Sequence, residues 1–116
     1  MKIEITRHAE QRMRERLGLN KKSIERMAQR AYENGMHHNE TKGNLNKWIT
    51  SIYFKNKNAN NIRIYGNMLY IFCDDILVTV FQIPHRLSKD LENYIRKRYV
   101  KIKDSQSSNK HDKMGN

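Results

Sequence analysis

Proline and cysteine occur once each in the 116 residues, and glycine five times. A single thiol, Cys73, cannot close an internal disulfide, so the fold must be held by its core, and nothing suggests an oxidising compartment. The longest apolar stretches lie around Met68–Cys73 and Ile76–Phe81, far short of the roughly 20 residues that cross a bilayer. The opening Met-Lys-Ile-Glu-Ile-Thr has no apolar run of the signal-peptide type. The expectation is a cytoplasmic protein with no membrane partner. There is also no Cys-x-x-Cys pair, no glycine-rich phosphate loop and no nucleophile elbow.

Acidic residues are the scarce charge. Twelve Asp and Glu face 23 Lys and Arg, a formal net charge of +11, with an isoelectric point near 10.0. The excess is segregated: residues 41–65 hold five basic and no acidic residues, and 85–103 hold seven basic and two acidic. Between them, 66–84 carries only Asp74 and Asp75. Two cationic segments flanking an apolar block attract polyanions through counterion release. Nucleic acid is the favoured partner class, RNA first, with an acidic protein surface or acidic lipid behind it.

At 37% apolar and 30% charged residues, the chain suffices for one domain with a modest core. Lys2–Ile5 reads as a short strand. Thr6 can cap a helix over Arg7–Leu17 that ends at Gly18, and Asn20 can cap a second in which Ile24, Met27, Ala28 and Ala31 form an apolar stripe ending at Gly35. Residues 36–44 read as polar loop. Leu45, Trp48, Ile49 and Ile52 have the spacing of a short third helix, and Lys55–Asn61 reads as an Asn-rich loop. Ile62–Tyr65, Met68–Cys73 and Ile76–Ile83, separated by Gly66-Asn67 and Asp74-Asp75, predict a three-stranded antiparallel meander, the last strand central because it is apolar on both faces. After Pro84, Ser88 can cap a helix with Leu91, Tyr94 and Ile95 inward and Arg96, Lys97 and Arg98 outward. Residues 1–103 are thus expected to form a single α+β domain, N-terminal helices on a small antiparallel meander with a C-terminal helix, and 104–116 a disordered polar tail.

His8, Arg12 and Arg16 recur every fourth residue, one position before Ala9, Met13 and Leu17. On a helix, the His-Arg-Arg ladder therefore runs along the border of the buried stripe. Guanidinium forks suit phosphate, and imidazole exchanges a proton near neutral pH. The competing reading is a solvated helix edge paired with Glu4, Glu10 and Glu15.

The stretch His8-Ala9-Glu10-Gln11-Arg12-Met13-Arg14-Glu15-Arg16 resembles the "HAxxRxxxR" opening of small bacterial and phage proteins in the metal-independent ribonuclease superfamily that groups barnase, EndoU, tRNA-cleaving colicins and RelE/ParE-type toxins. The strand Ile76–Phe81 and the order of helices before meander are similar to the same group, over residues 3–84. The resemblance implies a RelE/EndoU-like fold and either of two roles. One is a metal-independent endoribonuclease, toxin-like or a phage effector, in which a 2′-hydroxyl attacks the adjacent phosphate. In it His8 would move a proton, Arg12 and Arg16 would offset phosphate charge, and Thr79 would orient a phosphate oxygen or the nucleophile. Lys47, Tyr70 and His85 are candidates for the second proton transfer. The other role is a non-catalytic basic protein that docks on nucleic acid or an acidic host protein; for the toxin-like role the resemblance adds an antitoxin as a candidate partner.

Lys47, Lys55, Arg63, Arg96, Lys97 and Arg98, with the aromatic residues Tyr53, Tyr65 and Tyr70, are the expected RNA contacts, cations for phosphates and rings for unpaired bases. Trp48 belongs to the helical stripe and is expected in the core. His37, His38 and Glu40 lack a third ligand at suitable spacing, since adjacent histidines point apart. They read as loop residues, and no metal or cofactor is expected.

Overall fold

The computed structural model describes residues 2–56 and 58–98; the expected tail over 104–116 lies outside them. Five strands form one mixed sheet in the order β1-β5-β4-β3-β2. They are β1 (Glu4–Ile5), β2 (Met36–His37), β3 (Asn61–Tyr65), β4 (Met68–Cys73) and β5 (Ile76–Gln82). Helices α1 (Arg7–Leu17) and α2 (Lys21–Asn34) cover one face. Helix α3 (Gly43–Lys55) and a last helix, α4, running through 88–98, cover the other. The class is α+β.

The helix ends form as their sequences predict. Thr6 accepts the Ala9 N–H at 3.0 Å and Asn20 the Ser23 N–H at 2.9 Å, and Gly18 turns the chain out of α1 with φ +64°. Entry to α4 is different. A 3-10 turn over His85–Leu87 leads in, and Ser88, already helical, donates back to the His85 carbonyl instead of capping.

The sheet is larger than the expected meander. The β3-β4-β5 hairpins are present and antiparallel, but β1 adds in parallel beside β5 (Glu4 opposite Ile76) and Met36–His37, expected as loop, pairs with Ile64 and Arg63. Two-residue strands carry too few residues to show a period of two, which is why the pattern missed β2. The central strand is β4, not β5. Met68, Tyr70 and Phe72 point into the α1/α2 core, while Leu69 and Ile71 point into the α3/α4 core. In β5, Thr79 lies opposite Ile71 and Leu77 opposite Phe72, so Val78 is the extra residue of a β-bulge.

Tyr70, expected to contact RNA, is instead fully buried, and among the described residues its hydroxyl is the one buried side-chain polar atom without a hydrogen-bond partner. Burial, with Tyr65 adding, pushes its pKa from 10.0 to about 12. Removing an unsatisfied buried hydroxyl relieves its desolvation cost, so Tyr70→Phe is expected to stabilise the fold by about 1 kcal/mol in urea unfolding. The unfolded chain loses this proton near pH 10 while the folded chain keeps it to about 12. This group therefore leaves stability unchanged with pH below about 10, and about 2–3 kcal/mol is lost as pH rises through that window. Tyr70→Phe should flatten this alkaline slope relative to wild type.

Candidate nucleic-acid interface

The two edges of the sheet carry different chemistry. At the β5 edge, β1 covers only Ile76 and Leu77, which leaves later carbonyls of an edge strand to be satisfied. Helix α1 supplies the partners. Thr6 Oγ1 donates to the Val78 carbonyl at 3.2 Å, and Arg16 Nη1 donates to the Val80 carbonyl at 2.6 Å, its guanidinium 5.7 Å from the centre of the Phe81 ring. His8, Arg12 and Arg16 share one side of α1, but they are differently engaged. Arg16 is bound to the strand backbone, Arg12 pairs with Glu15 at 3.5 Å, and His8 is exposed in the first turn. Thr79 is 7% exposed and shares a sheet face with Ile71, the face opposite the one on which α1 packs. None of five clefts formed by the described residues is lined by any of these four.

The β2 edge, three strand spacings and so about 14 Å away, gathers cations. Helix α2 ends here with its carbonyls outward, the electronegative end of the helix dipole. Arg63 Nη1 donates to the Gly35 carbonyl at 2.9 Å, and Arg98 Nη1 donates to the Asn34 carbonyl at 3.2 Å. Two guanidiniums are thereby held beside each other. Burial and the charge of Arg98 both pull the Arg63 pKa below its ordinary value. Burial first, then Arg63, lowers that of His37 against the pull of Glu40, leaving the His37 imidazole neutral at pH 7. Lys42 is brought to the same place by Tyr94, whose hydroxyl accepts the Lys42 N–H at 2.9 Å and donates to the Lys42 carbonyl at 2.8 Å. Lys42, Lys97 and Arg98 line one cleft of about 300 Å³ with Tyr94, Met36 and, among the described residues, a single carboxylate, Glu40. Glu40 Oε1 is 3.9 Å from Arg98 Nε, and its other oxygen accepts the His37 N–H at 2.8 Å.

The fold therefore brings Arg63, Lys97 and Arg98 together. Tyr65 and Arg98 line a neighbouring cleft of about 410 Å³ with Met36, Ile64 and Ile95. Ile95, expected inward, is 47% exposed because it lies in the wall of that open cleft rather than over the sheet. Arg98, expected outward, turns back to α2. Lys47, Tyr53 and Lys55 are exposed on α3, and Arg96 is exposed on α4. Trp48 packs against the α3/α4 core as expected. The spacing pattern passed over Lys42, which reaches the cluster only through a bond to a residue 52 positions away, and His37, read as loop. Compared with known proteins, the chain matches no family model, no curated sequence and no solved structure.

Proposed function

We propose that this chain binds single-stranded RNA along the β2 edge of its sheet. The observation that carries the reading is the cluster of Lys42, Arg63, Lys97 and Arg98 around one carboxylate, Glu40. Four cations in so small a space repel one another, and a phosphate chain is the partner that offsets them while releasing its own counterions. Each guanidinium spends only part of its five N–H donors on protein carbonyls and amides, leaving others for phosphate oxygens. RNA cleavage at the β5 edge is a second reading, favoured by the shared alignment of His8, Arg12 and Arg16 on α1. It requires Arg16 to leave the Val80 carbonyl or to act from there.

A mobility-shift titration of a short single-stranded RNA over a salt series tests the first reading, with total RNA incubated in EDTA beside it. A steep, salt-dependent shift with intact RNA is the expected result. Fragments that disappear with His8→Ala would move the activity to the β5 edge. No shift at low salt would overturn RNA binding and direct attention to an acidic protein target.

A further inference from the structure

Large hydrophobic side chains are rarely left in water without a reason when they lie side by side. Among the described residues three are exposed, and two are neighbours at the end of α3: Tyr53 at 37% and Phe54 at 62%, their rings 6.0 Å apart and tilted by 58°. Tyr53 forms one wall of a cleft of about 480 Å³, between α3, the turn after β2 and the start of β3. Ala59 and Ile62 give it apolar surface, and His37, Asn39 and Asn61 give it polar groups. Among the described residues no Lys, Arg, Asp or Glu lines it, although residues 41–65 contain five basic residues. A cleft whose described lining is uncharged and partly aromatic, set in a cationic surface, suits the neutral part of a nucleotide better than a phosphate.

From this juxtaposition we infer that the cleft is a subsite for one unpaired nucleobase, with Tyr53 as the stacking face and the Asn39 and Asn61 amides as edge contacts. The inference rests on the RNA-binding reading and adds to it the part of RNA that is recognised. The amides divide by their existing bonds. Asn60 has both amide atoms engaged, since its Nδ2 donates to Asp74 Oδ1 and its Oδ1 accepts the Asp74 N–H, both at 2.8 Å. Asn61 gives only Oδ1 to Arg63 Nε at 3.1 Å, so its Nδ2 is left to donate to a base carbonyl or ring nitrogen. The same bond sets Arg63 next to the cleft, where its remaining N–H groups can take the adjoining phosphate. The His37 imidazole, which also lines the cleft, offers a further ring face.

Two labelled probes of equal length and charge separate base from phosphate recognition: a ten-nucleotide oligoadenylate and an abasic ribose–phosphate chain, titrated by fluorescence anisotropy at one salt concentration. Base stacking on an aromatic ring predicts that the protein binds oligoadenylate at least about tenfold more tightly than the abasic chain. Tyr53→Ala should abolish that preference without changing the salt dependence, and Tyr53→Phe should keep it. Equal affinity of wild type for both probes overturns the nucleobase subsite but leaves salt-dependent RNA binding standing. A preference that survives Tyr53→Ala overturns it as well. Binding of neither probe removes the RNA-binding reading itself, and this subsite with it. Because Tyr53 is exposed, the alanine variant is expected to keep its wild-type circular dichroism.

Discussion

Replacing Lys42, Lys97 and Arg98 together by alanine is expected to lower affinity for single-stranded RNA about a hundredfold at about 0.1 M salt. The magnitude follows from counterion release, in which each neutralised phosphate contributes about −0.7 to the slope of log affinity against log salt for a single strand. Losing three such contacts should reduce the slope by about 2, and the gap between variant and wild type should close as salt approaches 1 M. The fold should survive. The bonds that Lys42 makes to Tyr94 use its backbone, and Lys97 and its partner ring are at the surface, 5.9 Å apart. Arg98 gives up one bond to Asn34 and a long pairing with Glu40. A matched triple change at Lys21, Lys22 and Arg26, exposed on α2, removes the same charge from another face and should cost far less affinity. Glu40→Gln carries the opposite sign: with the one carboxylate among the described lining residues neutralised, binding should tighten. Equal losses from the two triple variants would mean that net charge, not the β2 edge, sets the affinity.

Legibility of this fold in the sequence follows how local each determinant is. Thr6, Gly18 and Asn20 act within three or four residues, so their roles can be read directly, and the stripes Ile24-Ala28-Ala31 and Leu45-Ile49-Ile52 are buried as their spacing requires. Hairpin turns are equally local. Gly66, with φ +62°, and Asp74, with φ +56°, supply the positive φ that a two-residue turn demands. Asp74 is the less usual choice, and Asn60, 14 residues away, holds it with two bonds. Strand order is not local. β5 looked central because both faces are apolar, and it is an interior strand covered on both faces, but β1 pairs with it only at Ile76 and Leu77, so it is β4, paired along its length on both sides, that lies at the middle of the sheet.

The candidate site divides in the same way. Periodicity put His8, Arg12 and Arg16 on one border of α1, where they are found, and it could not show that the border lies along the open edge of β5. There the Val80 carbonyl engages Arg16. Charge counting marked 41–65 and 85–103, and the cationic cluster does draw on both. What assembled it was the end of α2, a segment with no charge excess at its C-terminus, whose carbonyls at Asn34 and Gly35 attract one guanidinium from each of the other two segments. Tyr53, Tyr65 and Tyr70 are indistinguishable by composition. Their strand or helix parity, combined with which faces are covered, decides that one is exposed, one half-buried and one enclosed.

Gly35→Ala should be the most damaging single methyl addition at this edge. Gly35 has φ −63° and ψ 151°, a conformation open to any residue, so backbone freedom is not its role. Space is. A Cβ built there would lie 2.5 Å from the Ala31 carbonyl oxygen, 2.8 Å from the Cβ of Arg63 and 3.3 Å from the Ile64 carbonyl oxygen. Two of these neighbours are backbone, one in α2 and one in β3, so neither can swing aside as a long side chain would. The contacts are relieved only by turning the Gly35 backbone away from the last turn of α2 and moving it off β3, which also pulls Met36 out of the α3/α4 core and breaks the bond from Arg63 to the Gly35 carbonyl. Overpacking of this kind typically costs 1–3 kcal/mol, and with the lost bond to a charged group the expected total is about 3 kcal/mol in urea unfolding. Out of a stability on the order of 5–15 kcal/mol, that is enough to lower the melting temperature by more than about 10 °C. The displacement would also separate Arg63 from Arg98, so RNA affinity should fall in the folded variant at temperatures where wild type and variant are both native. Gly18→Ala, at φ +64° with open space around the site, strains only its own backbone and is expected to cost about 1 kcal/mol with no effect on binding. If Gly35→Ala instead unfolds at the wild-type urea midpoint, the close approach of α2 to β3 is not what fixes the edge strand β2.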